Sequence, residues 1–230
     1  MVSPFEVPQL ALQMSLDDEN TWDNFYARGA LEALLKAVQS PNAEPLSFLH
    51  GPAGSGKTHV LQALCHATEG AVYLPLGELK EMPADALLAD LEQSALIALD
   101  ELESIAAEAA WEEGLFHLIN RARQAGSPVW CAASKTPLEL GIALRDLSSR
   151  LAGGVVWAMP ACNDEDLRAV LHHRGQQRGL KLEDAVIAYI SSRERRSLDQ
   201  LLSSLEKLDQ ASLQLKRPIT VPLVREVMGW

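Results

Sequence analysis

The chain has 230 residues, 47% hydrophobic and 22% charged, which is ordinary globular composition with enough length for one or two domains and a real core. A net charge of −11 and a pI near 5 disfavour a protein whose main work is gripping nucleic acid, because neutralising phosphates takes a basic face. Three widely spaced cysteines, Cys65, Cys131 and Cys162, read as reduced thiols, and the longest apolar runs are strand-sized, far too short to span a bilayer.

No charged leader with an apolar stretch precedes the body, which points to a cytoplasmic protein. Neither Cys65-His66 nor His172-His173 has the spacing of a metal site. Residues 1–20 read as an extended tail, because Pro4 and Pro8 oppose a helix and apolar residues alternate between 7 and 14. An aromatic segment, residues 21–26, leads into a helix over 30–38 with Leu31, Leu34, Leu35 and Val38 on one face. Pro41 and Pro45 close it.

A strand over 46–50 then runs into Gly51-Pro52-Ala53-Gly54-Ser55-Gly56-Lys57-Thr58-His59, and a helical pattern follows to about Thr68. This is the G-x-x-x-x-G-K-T phosphate loop in its strand–loop–helix context, a highly specific signal for a nucleoside triphosphate. Its glycines let the backbone turn so that N–H groups surround phosphate oxygens. Lys57 adds a point charge for the β and γ phosphates, and the Thr58 hydroxyl is a ligand for Mg²⁺. The positive end of the following helix supports the same anion.

Residues 71–76 read as a second strand and 83–93 as a helix carrying Ala86, Leu87 and Leu91. Leu96 to Leu99 then form an apolar strand ending in Asp100 and Glu101, at the strand edge where open α/β sheets bind ligands. Asp100 is suited to hold Mg²⁺ through water and Glu101 to polarise an attacking water. After a helix over 108–124, a strand over 129–133 stops at Ser134 and Thr136, either of which can reach a γ phosphate or serve as ordinary turn chemistry. A short helix through Ser149-Arg150 precedes a fifth strand over 155–159. Strands alternating with helices over 21–160 predict an α/β domain with a parallel sheet flanked by helices. Residues 161–230 show only helical patterns, with an N-terminal cap at 163–166, and predict a small all-α domain.

The order of phosphate loop, Asp-Glu strand, polar strand end, Ser-Arg and helical lid resembles the AAA+ ATPases. Within them it is most similar to the DnaA branch, and in particular to the Hda family of DnaA-related regulators of bacterial replication initiation. The resemblance covers nearly the whole chain. It implies that Phe25 and Tyr26 lie beside the adenine, that residues 51–59 hold ADP or ATP, and that Arg150 is an arginine finger. It places the lid's second sensor at Arg196, or at Arg195 or Arg193 if the register slips. DnaA proteins carry an origin-binding helix-turn-helix after the lid, whereas this chain stops at Trp230 and is expected to resemble the Hda family in this respect. Gln9-Leu10-Ala11-Leu12-Gln13-Met14 looks like that family's clamp-binding motif, in which Gln9, Leu10, Leu12 and Met14 engage the sliding clamp of DNA polymerase III as an extended peptide.

What the resemblance implies for function is specific. Bound to a nucleotide and to the DNA-loaded clamp, the protein presents Arg150 to ATP held by DnaA, stimulates its hydrolysis and blocks re-initiation. It is expected to activate DnaA rather than to be a vigorous ATPase itself, and to form a homodimer or higher homo-oligomer. Two other readings stay open on the residues: a non-catalytic, nucleotide-gated adaptor and an AAA+ helicase loader.

Overall fold

The computed structural model describes residues 16–38, 44–193 and 198–230. The tail motif at 9–14 and the lid arginines Arg195 and Arg196 lie outside the described residues.

Five strands, β1 (Leu46–His50), β2 (Ala71–Pro75), β3 (Leu96–Asp100), β4 (Val129–Ala133) and β5 (Val155–Ala158), form one parallel sheet in the order β2-β3-β4-β1-β5. The three inner strands are buried on both faces, which is why they read as unbroken apolar runs rather than as alternating patterns. Their period of two still sorts them. Phe48, Ile97, Leu99, Val129 and Cys131 face one layer, while Leu49, Ala98, Trp130 and Ala132 face the other. The first layer is closed by α5 (Ala109–Ala125) and α6 (Arg145–Ala152), through Trp111, Leu115, Leu118, Leu147 and Leu151. The second is closed by α1 (Glu32–Val38) and α2 (Lys57–Ala67), through Leu34, Val60, Leu61 and Leu64.

Two short helices, α3 (Leu76–Leu79) and α4 (Ala84–Leu87), follow β2. The single helix expected over 83–93 is not formed. After α4 the Leu88 carbonyl, which a continuing helix would bond to residue 92, accepts instead from Arg121 Nη2 on α5 at 2.9 Å. Asp90 adopts a left-handed conformation (φ 57°), and a 3-10 turn over Leu91–Gln93 brings Glu92 to Arg121 at 3.1 Å. Tertiary bonds to α5 thus override the local helical pattern.

Beyond Pro160 come α7 (Asp164–Gln177), α8 (Asp184–Arg193), α9 (Leu198–Leu215) and α10 (Val221–Met228). They bury a core of their own built on Leu171, Ile187, Leu205, Leu208, Leu223 and Val224. Asn163 starts α7 with a capping box, its side-chain oxygen accepting from Glu165 N and Asp166 N. Among the described residues no helix is long and apolar enough to cross a membrane, and no cluster of His, Cys, Asp or Glu is grouped to hold a metal.

Candidate functional site

The sheet order decides what meets at its C-terminal edge. β4 lies between β1 and β3, so the strand ending at Ser134 separates the phosphate loop from Asp100. All three strand ends open into one cleft of about 910 Å³. Its walls include residues 53–59 of the loop, Asp100, Glu101 and Ser134, with Phe25 and Tyr26 on one side and Leu198 and Leu202 of α9 over the top.

The loop is shaped by its neighbours. Gly54 (φ 70°) and Gly56 (φ 96°) take conformations that favour glycine. At Gly51 a Cβ would collide with the Met159 carbonyl, because the chain leaving β5 passes directly behind the loop. Lys57 Nζ donates to the carbonyls of Gly51 and Pro52 at 2.8 and 2.9 Å, so the ammonium is held over the turn. Ser55 is 2% exposed and its hydroxyl has no hydrogen-bond partner among the described residues. Thr58 stands exposed in the first turn of α2.

Asp100, by contrast, is 2% exposed and fixed at both oxygens. Oδ1 accepts from Glu101 N and Oδ2 from the Tyr73 hydroxyl, each at 2.9 Å. Burial, reinforced by the Asp100 charge, pushes the Tyr73 phenol well above its ordinary range, so it remains a donor. Glu101 sits in a left-handed turn (φ 58°, ψ 46°), and its carboxylate packs against the backbone of Gly77 so closely that any side chain there would collide with it. Burial and the charges of Asp100, Glu103 and Glu78 raise the Glu101 pKa, opposed by a hydrogen bond from Gly77. Glu103 Oε2 accepts from Ser134 N at 3.2 Å. Thr136 turns away, its hydroxyl donating to Glu139.

A hydroxyl and an oriented carboxylate in one cleft suit a hard cation. Mg²⁺ takes few protein oxygens and keeps waters, and donors behind a carboxylate fix its free lone pairs toward the ion. Thr58 and Asp100 therefore fit Mg²⁺, and residues 51–58 fit phosphates.

Basic groups not anticipated from the sequence close the cleft. Arg28, 7% exposed, donates through Nη2 to the Ser55 carbonyl (3.0 Å) and through Nη1 to that of Pro160 (3.1 Å), and its guanidinium pairs with Asp166 of α7 (3.5 Å). It therefore touches the phosphate loop, the exit from β5 and the start of the lid together. Arg174 of α7 donates to the Glu19 carbonyl at 2.7 Å, and Arg178 pairs with the Glu19 carboxylate at 3.0 Å. Neither Ala-Arg-Gly at 27–29 nor the arginines of α7 carry a motif that could have revealed them. Arg193 lies over the Tyr189 ring, 5.4 Å from its centroid, and is not part of the cleft wall.

Around the aromatic segment, the Phe25 and His59 rings lie 5.1 Å apart and Tyr26 lies beside His173. His59 Nε2 is 2.8 Å from the Thr21 carbonyl, an acceptor, so that nitrogen carries the proton. Burial lowers the His59 pKa to about 4, Arg174 and His173 adding to it against the Thr21 bond and Asp17.

Arg150 is elsewhere. Together with Phe116, Arg123, Asp146, Ser149 and Val155 it lines a second cleft, about 620 Å³, beside the first residues of β1 and β5. That is the N-terminal edge of the sheet, opposite the phosphate loop.

A parallel β2-β3-β4-β1-β5 sheet with a phosphate loop after β1, an acidic end to β3 and a helical lid defines an AAA+ protein. Residues 164–228 match the family model of the Hda lid domain. An uncharacterised protein of Haemophilus influenzae is 34% identical over 228 residues, covering 96% of this chain and 98% of its own length. Among solved structures, domain III of the replication initiation protein DnaA from Thermotoga maritima superposes with a TM-score of 0.77 at 17% identity, over 93% of this chain and 97% of that one. AMPPCP-bound DnaA from Aquifex aeolicus gives 0.70 at 18% identity over 87% and 68%. The Holliday junction branch migration motor RuvB of T. maritima gives 0.64 at 18% over 91% and 71%. The chain belongs to the Hda-like, DnaA-related AAA+ family.

Proposed function

We propose that this protein binds ADP or ATP in the larger cleft and, docked on the DNA-loaded sliding clamp, stimulates hydrolysis of ATP bound to DnaA. The observation that carries the reading is the separation of Arg150 from the chain's own phosphate loop. A guanidinium on the opposite edge of the sheet is out of reach of the chain's own phosphate loop, which supports a role on a nucleotide held by another molecule. Membership of the Hda-like family supports DnaA as that molecule. An arginine supplied in trans to the developing γ-phosphate charge is worth roughly 10³ to 10⁵ in rate.

Within the chain's own cleft, the N–H groups of residues 51–57 and Lys57 bind the phosphates, and Phe25 and Tyr26 flank the base. Mg²⁺, held by Thr58 and through water by Asp100, would neutralise charge on the β and γ phosphates. Glu101 stands where an attacking water would be oriented, and Ser134 at the γ-phosphate end. The role assigned to Arg196 is that of the lid's second sensor, which reports the presence of nucleotide. Residues 1–20 form the clamp tether, 21–160 the nucleotide-binding domain and 161–230 the lid. Tethering by Gln9, Leu10, Leu12 and Met14 raises the local concentration of the DnaA partner. This reading places the protein in the cytoplasm, with self-association as a homodimer or larger.

Phosphate release from ATP–DnaA in the presence of this protein, ADP and clamp loaded on DNA tests the reading. The intact chain should stimulate release. Arg150→Ala should abolish stimulation while retaining clamp binding, and changing Gln9, Leu10 and Leu12 to Ala should abolish both. Loss of clamp binding in Arg150→Ala, or stimulation by that variant, would sink the finger role.

A further inference from the structure

Glu112 is the one acidic side chain on α5 that points inward. It is 1% exposed and lies in the first turn of the helix. Its carboxylate accepts three backbone N–H groups: Ala107 N (2.8 Å) and Ala143 N (3.0 Å) at Oε1, and Leu144 N (2.7 Å) at Oε2. Burying a carboxylate is costly unless it is hydrogen-bonded, and three backbone donors from two segments fix the geometry of this one.

What the three donors belong to gives the bond its meaning. Ala143 and Leu144 immediately precede α6, and Leu144, its N-cap, offers no side-chain cap of its own. The Glu112 carboxylate accepts from the N-cap N–H, as the N3 side chain of a capping box does, and from the N–H before it, and so sets a negative group at the positive end of the helix. Arg150 is on the last turn of the same eight-residue helix. Leu147 and Leu151, both fully buried, fix the rotation of α6 about its axis. Along its axis the helix is held by polar bonds, from the N–H groups of Ala143 and Leu144 to Glu112 and from the Ser148 hydroxyl to the Pro137 carbonyl (3.2 Å), and those to Glu112 fix its N-terminal end. The third donor, Ala107, is in the left-handed region (φ 68°), which a non-glycine residue occupies only when held there. It ends the segment that begins with Glu101 and Glu103 at the nucleotide cleft. One carboxylate thus joins the acidic end of β3 to the base of the helix that carries Arg150.

We propose that Glu112 is the positioning residue of Arg150, setting the finger's height at the N-terminal edge of the sheet and tying it to the nucleotide cleft on the other edge. The inference rests on the finger reading above and extends it to a residue that touches neither nucleotide. Glu112→Gln keeps size but turns an amide N–H₂ toward backbone donors, so at least one bond is lost.

In the DnaA-dependent phosphate-release assay with clamp on DNA, Glu112→Gln should lower stimulation about tenfold or more, while leaving ADP affinity within about twofold. Amide hydrogen exchange at residues 143–148 should quicken. Stimulation by Glu112→Gln within about twofold of the parent, or a loss of stimulation matched by an equal loss of ADP affinity, overturns the proposal. If Arg150→Ala alone retains stimulation, the finger reading falls first and the positioning role falls with it. Should Glu112→Gln fold poorly, Leu144→Pro removes the same bond from the donor side. The backbone there, φ −74°, already suits proline, and the same loss is expected.

Discussion

At the scale of single residues, the site owes most to side chains whose environment changes their chemistry. His59 is the clearest case. Its folded pKa of about 4 lies below the unfolded value of 6.5, so the unfolded chain binds the extra proton between those limits. Its contribution to stability is present above pH 6.5 and is lost as pH falls towards 4, amounting to about 3 kcal/mol at most. His59→Gln keeps a donor for the Thr21 carbonyl and removes the titration. Thermal midpoints measured from pH 7 to 4.5 should therefore fall less steeply for this variant, and parallel slopes would show that His59 does not carry the effect. Lys57, Thr58, Asp100 and Glu101 all line the larger cleft, the first two expected there from the spacing of the phosphate loop and the other two from an apolar strand that ends in Asp-Glu. Gly77 carries no such signal in the sequence. A side chain there would have to displace the Glu101 carboxylate folded onto it, a contact between segments 24 positions apart in sequence.

Among elements, those with a strong period were legible: the inner strands from their apolar runs, α2 and α5 from their buried stripes, and α7 from its cap. Residues 83–93 were not, because Arg121 takes the carbonyl on which a longer helix would depend. Local spacing holds no record of a donor supplied from another helix. The cap of α7 yields a prediction of its own. Asn163→Ala removes the acceptor of two N–H groups and should cost about 1 kcal/mol. That corresponds to a midpoint lower by roughly 2–4 °C, with Asn163→Asp near the parent. An unchanged midpoint for Asn163→Ala would mean that Asp166 and solvent suffice.

For the whole molecule, the question is what makes sheet and lid one body around the cleft. Arg28 bonds carbonyls of the phosphate loop and of the chain entering the lid, and Arg174 and Arg178 bind Glu19 from the lid side. Charged donors to carbonyls are worth about 1.5–3 kcal/mol each. Arg28→Met should therefore destabilise the protein by roughly 3 kcal/mol and shrink the rise in midpoint that ADP produces. A variant with the parent's midpoint and the parent's ADP response would remove Arg28 from this role. The parallel sheet and the helical lid followed from the alternation of patterns in the sequence, but these clasps did not, since each is a lone arginine whose partner is a backbone oxygen far along the chain.

The opposite placement of phosphate loop and Arg150 also sets a rule of assembly. A contact that brings one molecule's arginine to another's nucleotide joins unlike faces, so it has a direction, like links hooked front to back. Any row built this way that does not close on itself ends with one occupied cleft that no arginine reaches and one arginine with no nucleotide to reach. Under the proposed finger role, such a row would take on a DnaA molecule at the end whose arginine is unused.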